Sequence, residues 1–378
     1  WMMLYKSFQG WKLSALGMGA MRLPVIDGDD SRIDEAAAEQ MVAYAMESGI
    51  NYYDTAWGYH NGQSELVLGR LLQKYPRESY FLASKFPGYD LANMDKVEEI
   101  FEKQLEKCGV DYFDFYLFHN VCEMNIDAYL NPKYGIFAYL MKQKQAGRIR
   151  HLGFSAHGSY GVMKRFLHAY GADMEFGQIQ LNYLDWKFQD AQAKVELLRE
   201  FGIPVWVMEP LRGGRLVTLS KEDTEKLHNL RPEEPVPAWA FRFLQSIPSV
   251  TMVLSGMSNL EQMQENIRTF EEEKPLNPQE MKALLCIADT MVRKNILPCT
   301  ACHYCVSHCP QGLDIPSLLA LYNEHHFTEG GFIAPMALSA IAQNKWPSAC
   351  IACRSCEAVC PQQIEISAAM ASFAKELG

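Results

Sequence analysis

No stretch of the sequence approaches the ~20 apolar residues that span a bilayer, and Trp1 to Lys6 lack a long apolar core followed by a cleavage site. These absences predict a cytoplasmic protein with no membrane partner. Positive charge is also short: 35 Lys and Arg stand against 45 Asp and Glu, a formal net charge of −10. Nucleic-acid affinity rests on cations that neutralise phosphates, so this balance argues against nucleic acid as a partner. Also missing is a Gly-x-Gly-x-x-Gly fingerprint after the first predicted strand, which disfavours a doubly wound dinucleotide fold. What remains is a chain with 48% hydrophobic and 21% charged residues, able to bury a sizeable interior. Its 378 residues exceed one small core, since domains cluster near ~100–200 residues. A large domain followed by a smaller one is expected.

Cysteine is plentiful, and its placement is the most specific signal. With no secretion signal in view a disulfide scaffold would be unusual, and eight of the eleven cysteines fall in two matching runs. The first is Cys299-x-x-Cys302-x-x-Cys305-x-x-x-Cys309-Pro310 and the second Cys350-x-x-Cys353-x-x-Cys356-x-x-x-Cys360-Pro361. Three thiolates at steps of three let a tight loop wrap a cubic iron-sulfur cluster, and in two-cluster ferredoxins the fourth Cys ligates the other cluster. We therefore assign Cys299, Cys302, Cys305 and Cys360 to one [4Fe-4S] cluster and Cys309, Cys350, Cys353 and Cys356 to a second. Zinc is the alternative, but zinc sites are commonly built from paired Cys-x-x-Cys hooks rather than two triads with a trailing Cys-Pro. The segment between the runs holds two short helical patterns, Ser317 to Asn323 and Pro335 to Gln343, and so resembles an α-helical ferredoxin. Of the remaining cysteines, Cys108 and Cys286 sit in helical patterns and read as core thiols, and Cys122 more weakly so.

From Leu13 to Phe270 short apolar runs alternate with amphipathic stretches. Strands are expected to begin near Ala15, Ile50, Tyr80, Phe113, Ile149, Gly177, Pro204 and Thr251. Helical patterns such as Val97 to Cys108 or Asp190 to Phe201 lie between them, several closed by glycines such as Gly109 or Gly202. Eight βα units in ~260 residues is the size of a (β/α)8 TIM barrel. Residues 1–275 are assigned to this barrel, and residues 276–378 to a linker, the helix Pro278 to Asn295 and the two-cluster domain. In such barrels chemistry sits at the C-terminal ends of the strands, which singles out Asp54, Tyr59, Lys85 and His119.

The segments around these residues are Asn51-Tyr-Tyr-Asp-Thr-Ala-x-x-Tyr59, Gly62-Gln-Ser-Glu-x-x-Leu-Gly69, Ala83-Ser-Lys85, Tyr116-Leu-Phe-His119, Gly147-x-Ile-Arg-x-Leu-Gly-Phe-Ser155 and Glu209-Pro-Leu. Together they resemble the aldo/keto reductase family over roughly residues 4 to 275. The resemblance implies a tetrad of Asp54, Tyr59, Lys85 and His119 and an NAD(P)H cofactor. The chemistry agrees with it. A carbonyl that accepts hydride develops negative charge on oxygen and needs a proton at once. Tyrosine is a poor acid unless a neighbouring cation stabilises its anion, and Lys85 would supply the cation. Asp54 would hold Lys85, while His119 would orient the carbonyl.

By the same resemblance Ser155 and Gln180 face the nicotinamide carboxamide. The Asn that commonly follows that Ser is replaced by Ala156 and then His157, and Met208 stands where many members stack an aromatic ring. Leu211, Gly213 and Gly214 approach the pyrophosphate, and Gly256, Ser258, Gln262 and Asn266 the adenosine. Members that use NADPH commonly carry Lys or Arg at the positions of Gly256 and Gln262. Those charges are missing, which leaves NADH and NADPH both open, with Arg212, Arg215 or Arg268 as compensating cations. Trp57, Tyr89, Asn120 and Trp186 are expected around a small-molecule carbonyl substrate with an apolar body. Two functions fit these features. One is a nicotinamide-dependent reductase of an aldehyde or ketone with auxiliary clusters. The other is an electron-transfer module in which the barrel binds dinucleotide and the clusters serve a redox protein partner.

Overall fold

The chain enters through a hairpin, β1 (Tyr5–Phe8) and β2 (Trp11–Ser14), turned on Gln9 and Gly10 with φ of 48° and 84°. Two residues at positive φ form the mirror-type turn that suits the twist of a hairpin. The pair escaped the sequence reading because four-residue strands carry too little alternation. Its function is packing. Phe8 and Leu13 join Phe115, Phe176, Trp206 and Met252 in one buried cluster, which plugs the end of the barrel where the strands begin.

Eight parallel strands follow: β3 (Leu16–Gly19), β4 (Tyr52–Asp54), β5 (Phe81–Phe86), β6 (Phe113–Val121), β7 (Ile149–Ala156), β8 (Gly177–Gln180), β9 (Val205–Met208) and β10 (Val250–Gly256). Each pairs with its neighbour, and β10 returns to β3 to close the barrel. These strands are buried on both faces, so they read as continuous apolar runs rather than alternating ones. Their starts fall within two residues of the expected ones. Helices cover the outside. Gly109, at φ 64°, ends the helix Val97–Cys108 in the left-handed conformation that glycine tolerates. Gly69 lets the helix Ser64–Leu72 come so close that a Cβ there would stand 2.6 Å from the carbonyl oxygen of Cys108.

The computed structural model describes residues 3–293, 296–299 and 301–377. They form two compact units, Trp1–Leu285 and Cys286–Gly378. The sequence suggested a division after residue 275. The observed division falls later because the helix Pro278–Arg293 begins with the barrel: Arg231 grips Glu280 through Nη2 at 2.7 Å and Nε at 2.8 Å. The expected end of that helix, Asn295, lies outside the described residues. Cys108 and Cys122 are buried, but Cys286 is exposed, which corrects its reading as a core thiol. The buried stripe of its helix runs through Glu280, Leu284, Ile287 and Ala288, and position 286 falls off that face.

The second unit is helical. Its core gathers Leu313, Ile315, Leu318, Leu338, Met370 and Phe373 around the buried Cys305 and Cys356. The helices are Ile315–Phe327, Ile333–Ser339 and Ile366–Glu376. The first starts ahead of the expected Ser317 because Pro316, which needs no N–H partner there, sits in its first turn.

Candidate active site and cysteine loops

Strand ends bring the four expected residues together. Asp54 closes β4, Lys85 and His119 lie near the ends of β5 and β6, and Tyr59 sits in the turn after β4. The Lys85 ammonium is wholly buried. It donates to Asp54 Oδ1 at 2.6 Å, to the Thr55 carbonyl at 2.7 Å and to the Tyr59 hydroxyl at 3.3 Å. Burial works against its charge, but the attraction of Asp54 and Tyr59 outweighs burial and holds the group above the ordinary lysine value. Burial likewise raises the Tyr59 phenol, against the pull of Lys85, so the hydroxyl keeps its proton. His119 is held well below the ordinary imidazole value by burial, by Lys85 and by His157. It stands neutral, its ring edge-to-face with Tyr59 at 6.0 Å and with Tyr89 at 5.1 Å, and its Nδ1 is buried without a partner among the described residues.

Several side chains that the sequence reading left unassigned aim this group. The β6–β7 register shifts between Phe118 and Val121, and Asn120 adopts a φ of 55°. A bulge of this kind re-aims a side chain, here His119. Tyr129 donates to the His119 carbonyl at 2.7 Å, and Asn125 Nδ2 bridges the carbonyls of Asn120 and Gly88 at 2.7 and 3.1 Å. Beneath Lys85, the buried Glu65 accepts from Ser84, Gln104 and Lys107, and Gln104 also donates to the Lys85 carbonyl at 2.9 Å. Glu65 lies within one of the family-like motifs, so a signal was present without a role attached. Lys107 in turn stands 4.7 Å from the centre of the Trp57 ring. The Tyr89 hydroxyl lies 2.3 Å from where a Cβ on Gly58 would be, so that glycine is required for Tyr89 to reach the site. Trp186 packs against Phe243 at 5.5 Å.

The residues expected to meet a dinucleotide fall into two groups. Leu211, Gly213, Gly214, Gly256, Ser258, Gln262 and Asn266 line one cleft together with Arg22, Glu209 and Glu265. Gly213 and Gly214 have positive φ, and the stem of Arg22 lies within 3.0–3.3 Å of where a Cβ on Gly256 would sit. A cleft with this much bare backbone fits a pyrophosphate. Gln180 and Met208 end β8 and β9, and Ser155 is the last residue but one of β7, all outside that lining. Ser155 Oγ accepts from the Asn120 N–H at 2.8 Å, and Met208 Sδ lies 3.9 Å from Gln178 Nε2. The Gln180 amide is engaged on both sides: it donates to Asp185 Oδ2 at 2.8 Å and bonds His157. Burial, with a contribution from Lys194, lowers His157 to about 4. Arg212 is buried with its Nε at 3.0 Å from Asp185 Oδ1.

The cysteines of the second unit converge as two sets. The Cys305 thiol, raised by burial, lies close enough to Cys299, Cys302 and Cys360 to feel their charge. Cys309, Cys350, Cys353 and Cys356 line one small cavity with Leu313, Ile315 and Met370. Burial, Glu357 and the neighbouring thiols Cys350 and Cys305 push Cys356 up to about 11. The two buried thiols, Cys305 and Cys356, are poorly placed to ionise without a cation, whereas hydrogen bonds from Ser355 lower the exposed Cys353. Both loops alternate in handedness, with positive φ at Ala301 and His303 in one and at Ala352 and Arg354 in the other. That alternation turns successive N–H groups toward one side, as anion-binding nests do. The donor sets and the loops fit iron-sulfur clusters.

Comparison with known proteins agrees with this division. The chain matches the model of the aldo/keto reductase family over residues 15–288 and that of a 4Fe-4S dicluster domain over residues 298–365. The NADH-specific methylglyoxal reductase of Escherichia coli is 24% identical over 304 residues, 68% of this chain and 89% of that protein. The L-galactose dehydrogenase of Arabidopsis thaliana is 26% identical over 287 residues, 70% of this chain and 86% of that protein. The holo form of an aldo-keto reductase from Bacillus halodurans superposes with a TM-score of 0.63 at 24% identity, over 75% of this chain and 96% of that one, a likeness of fold. Barrel and family match coincide over most of the chain, which belongs to the aldo/keto reductase family and is an oxidoreductase with a 4Fe-4S dicluster domain C-terminal to its barrel in sequence.

Proposed function

We propose that this chain reduces an aldehyde or ketone with hydride from NADH and holds two [4Fe-4S] clusters in its second unit. The observation that carries the reading is the run of contacts from Asp54 through Lys85 to Tyr59, with His119 alongside. A reduced nicotinamide, when bound, supplies the hydride. As charge develops on the carbonyl oxygen, the Tyr59 hydroxyl donates its proton to it. The Lys85 ammonium stabilises the phenolate left behind, and Asp54 keeps that ammonium charged and in place. Neutral His119 donates an N–H to the same oxygen and so orients the substrate. The ring of Tyr89, 5.1 Å from that of His119, offers an apolar surface beside it.

Charge in the cleft favours NADH. Its lining includes Glu209 and Glu265, and its cation, Arg22, is paired with Glu209 at 3.1 Å. Arg212 is committed to Asp185, and Arg268 donates to the Gln264 carbonyl. A 2′-phosphate would meet like charge there, whereas a ribose 2′-hydroxyl can donate to a carboxylate. A relative bearing the name NADH-specific methylglyoxal reductase is consistent with this preference.

For the clusters, Cys299, Cys302, Cys305 and Cys360 hold one, and Cys309, Cys350, Cys353 and Cys356 the other. The exposure of Cys302 and Cys353 favours a second role, electron exchange with a redox protein partner. An anaerobic preparation tests these points together. It should contain about eight iron and eight sulfide per chain and turn over small carbonyl compounds faster with NADH than with NADPH. Tyr59→Phe should cut kcat by ~10²-fold or more while NADH affinity and iron content stay. Unchanged turnover in that variant removes the catalytic reading, and zinc in place of iron removes the clusters. Bleaching of the visible cluster absorbance by NADH alone would favour the electron-transfer role.

A further inference from the structure

The residue after Tyr59 is held in a way that the proposed chemistry does not explain. His60 and Asn61 both adopt the left-handed conformation, with φ of 53° and 51°. A side chain makes this region unfavourable, and such strain persists only where the surroundings impose it. His60 is 2% exposed, so its ring nitrogens need protein partners. Both find them on a loop that follows β3. Nε2 accepts from the Leu23 N–H at 3.0 Å, and Nδ1 lies 2.9 Å from the Asp30 carbonyl and 3.0 Å from its carboxylate. A carbonyl can only accept and an N–H can only donate, so the ring is the tautomer with its proton on Nδ1.

The loop it grips is compact. Val25 bridges Ile33, and the Asp34 N–H donates to the Pro24 carbonyl at 2.8 Å. Leu23 leads into its first arm and Asp30 lies in the turn at its tip, so the imidazole bonds the loop at two separate points. The arm of Leu23 begins with Arg22, which rests on Gly256, pairs with Glu209 and lines the nucleotide cleft. One side chain therefore ties the backbone beside Tyr59 to the backbone beside the cation of the cleft.

We propose that His60 is a positioning residue that joins the two halves of the site. Through Leu23 it holds Arg22 over the nucleotide cleft, and through its own strained backbone it holds the Tyr59 hydroxyl toward Lys85. Occupancy of the cleft and the placement of the proton donor are then one mechanical unit. The inference rests on Tyr59 being the proton donor for its second half and is independent of that for its first. A purely structural histidine would contribute to stability and leave both functions alone.

The two ring contacts can be removed separately. His60→Gln keeps an acceptor near the Nε2 position and so the bond to Leu23. His60→Asn keeps a donor near Nδ1 and a residue tolerant of positive φ, but does not reach Leu23. NADH affinity is read from quenching of protein fluorescence, and the pH profile of kcat is measured beside it, with Tyr59→Phe as the control for the donor. The Asn variant should weaken NADH binding about tenfold and lower kcat by up to ~10²-fold, the scale of an ångström-sized misplacement. The Gln variant should restore most of the NADH affinity. If both variants lose thermal stability while NADH affinity and the kcat profile stay at wild-type values, His60 is structural and the proposal is overturned. Equal loss of affinity in the two variants overturns the route through Leu23. If Tyr59→Phe leaves turnover intact, the donor assignment fails, and the affinity comparison still decides the link to the cleft.

Discussion

At the scale of single residues, the site keeps charges buried by leaving each one partnered. Lys85 has no exposure, and its charge is balanced by Asp54 at 2.6 Å. Removing one partner of such a pair strands the other, which commonly costs ~3–5 kcal/mol. Asp54→Asn should therefore lower the unfolding free energy of the barrel by about that amount, besides slowing turnover. Denaturant unfolding followed by far-UV dichroism checks it. A loss under ~1 kcal/mol would mean that the Thr55 carbonyl and Tyr59 suffice to hold the ammonium. Which residues converge was legible in the sequence because each stands at a strand end in a local motif. What they bond to was less legible. Gln180 is engaged by Asp185 and His157, and His60 by Leu23 and Asp30. Those partners depend on loop conformation that no local pattern announces.

At the scale of elements, short strands are held in register by side chains that bridge them. Glu175, just before β8, accepts from His151 Nδ1 at 3.0 Å and from the Leu152 N–H at 2.9 Å, both on β7, and from Lys144 on the helix Ile136–Gln145. Burial would raise its carboxyl, but the bonds from His151, Lys144 and Leu152 override burial and hold it at about 2. A carboxyl depressed in the folded state contributes stability above the ordinary glutamate value, near ~4.3, and loses it as pH falls toward about 2. Glu175→Gln should flatten that acid limb and destabilise the barrel at neutral pH by ~1.5–3 kcal/mol, the range for hydrogen bonds to a charged group. Thermal unfolding between pH 2 and pH 7 measures both. Parallel slopes in wild type and variant would show that other carboxylates set the acid limb. The strands were readable because they are buried, and so stand as apolar runs between helical patterns, one per βα unit. The hairpin at Gln9 and Gly10 and the bulge at Asn120 were not, since one is too short for periodicity and the other is a matter of register between strands far apart in the chain.

At the scale of the whole molecule, the two units stand on different physics. The barrel carries a core of aromatic and branched side chains around its closed sheet. The second unit has helices of thirteen, seven and eleven residues, lengths at which isolated helices are marginal, and Cys305 and Cys356 sit within its core. Cluster binding is then expected to contribute directly to its folding, as structural metals do in small domains. The spacing of the cysteines was visible in the sequence because cluster ligands come in short local runs, and the crossing of the fourth cysteines was an inference from ligand chemistry that experiment can test. Cys360 lies in the second run but beside Cys305 of the first. In Cys360→Ala, iron should fall to about half, and the remaining cluster should keep the ligands Cys309, Cys350, Cys353 and Cys356. Resonance and Mössbauer spectra of the anaerobic protein distinguish that outcome from loss of the cluster bound by the second run itself, which would refute the crossing. Full chelation of iron should go further and melt the helical unit while the barrel still binds NADH. A single cooperative transition for both units after chelation would count against this division.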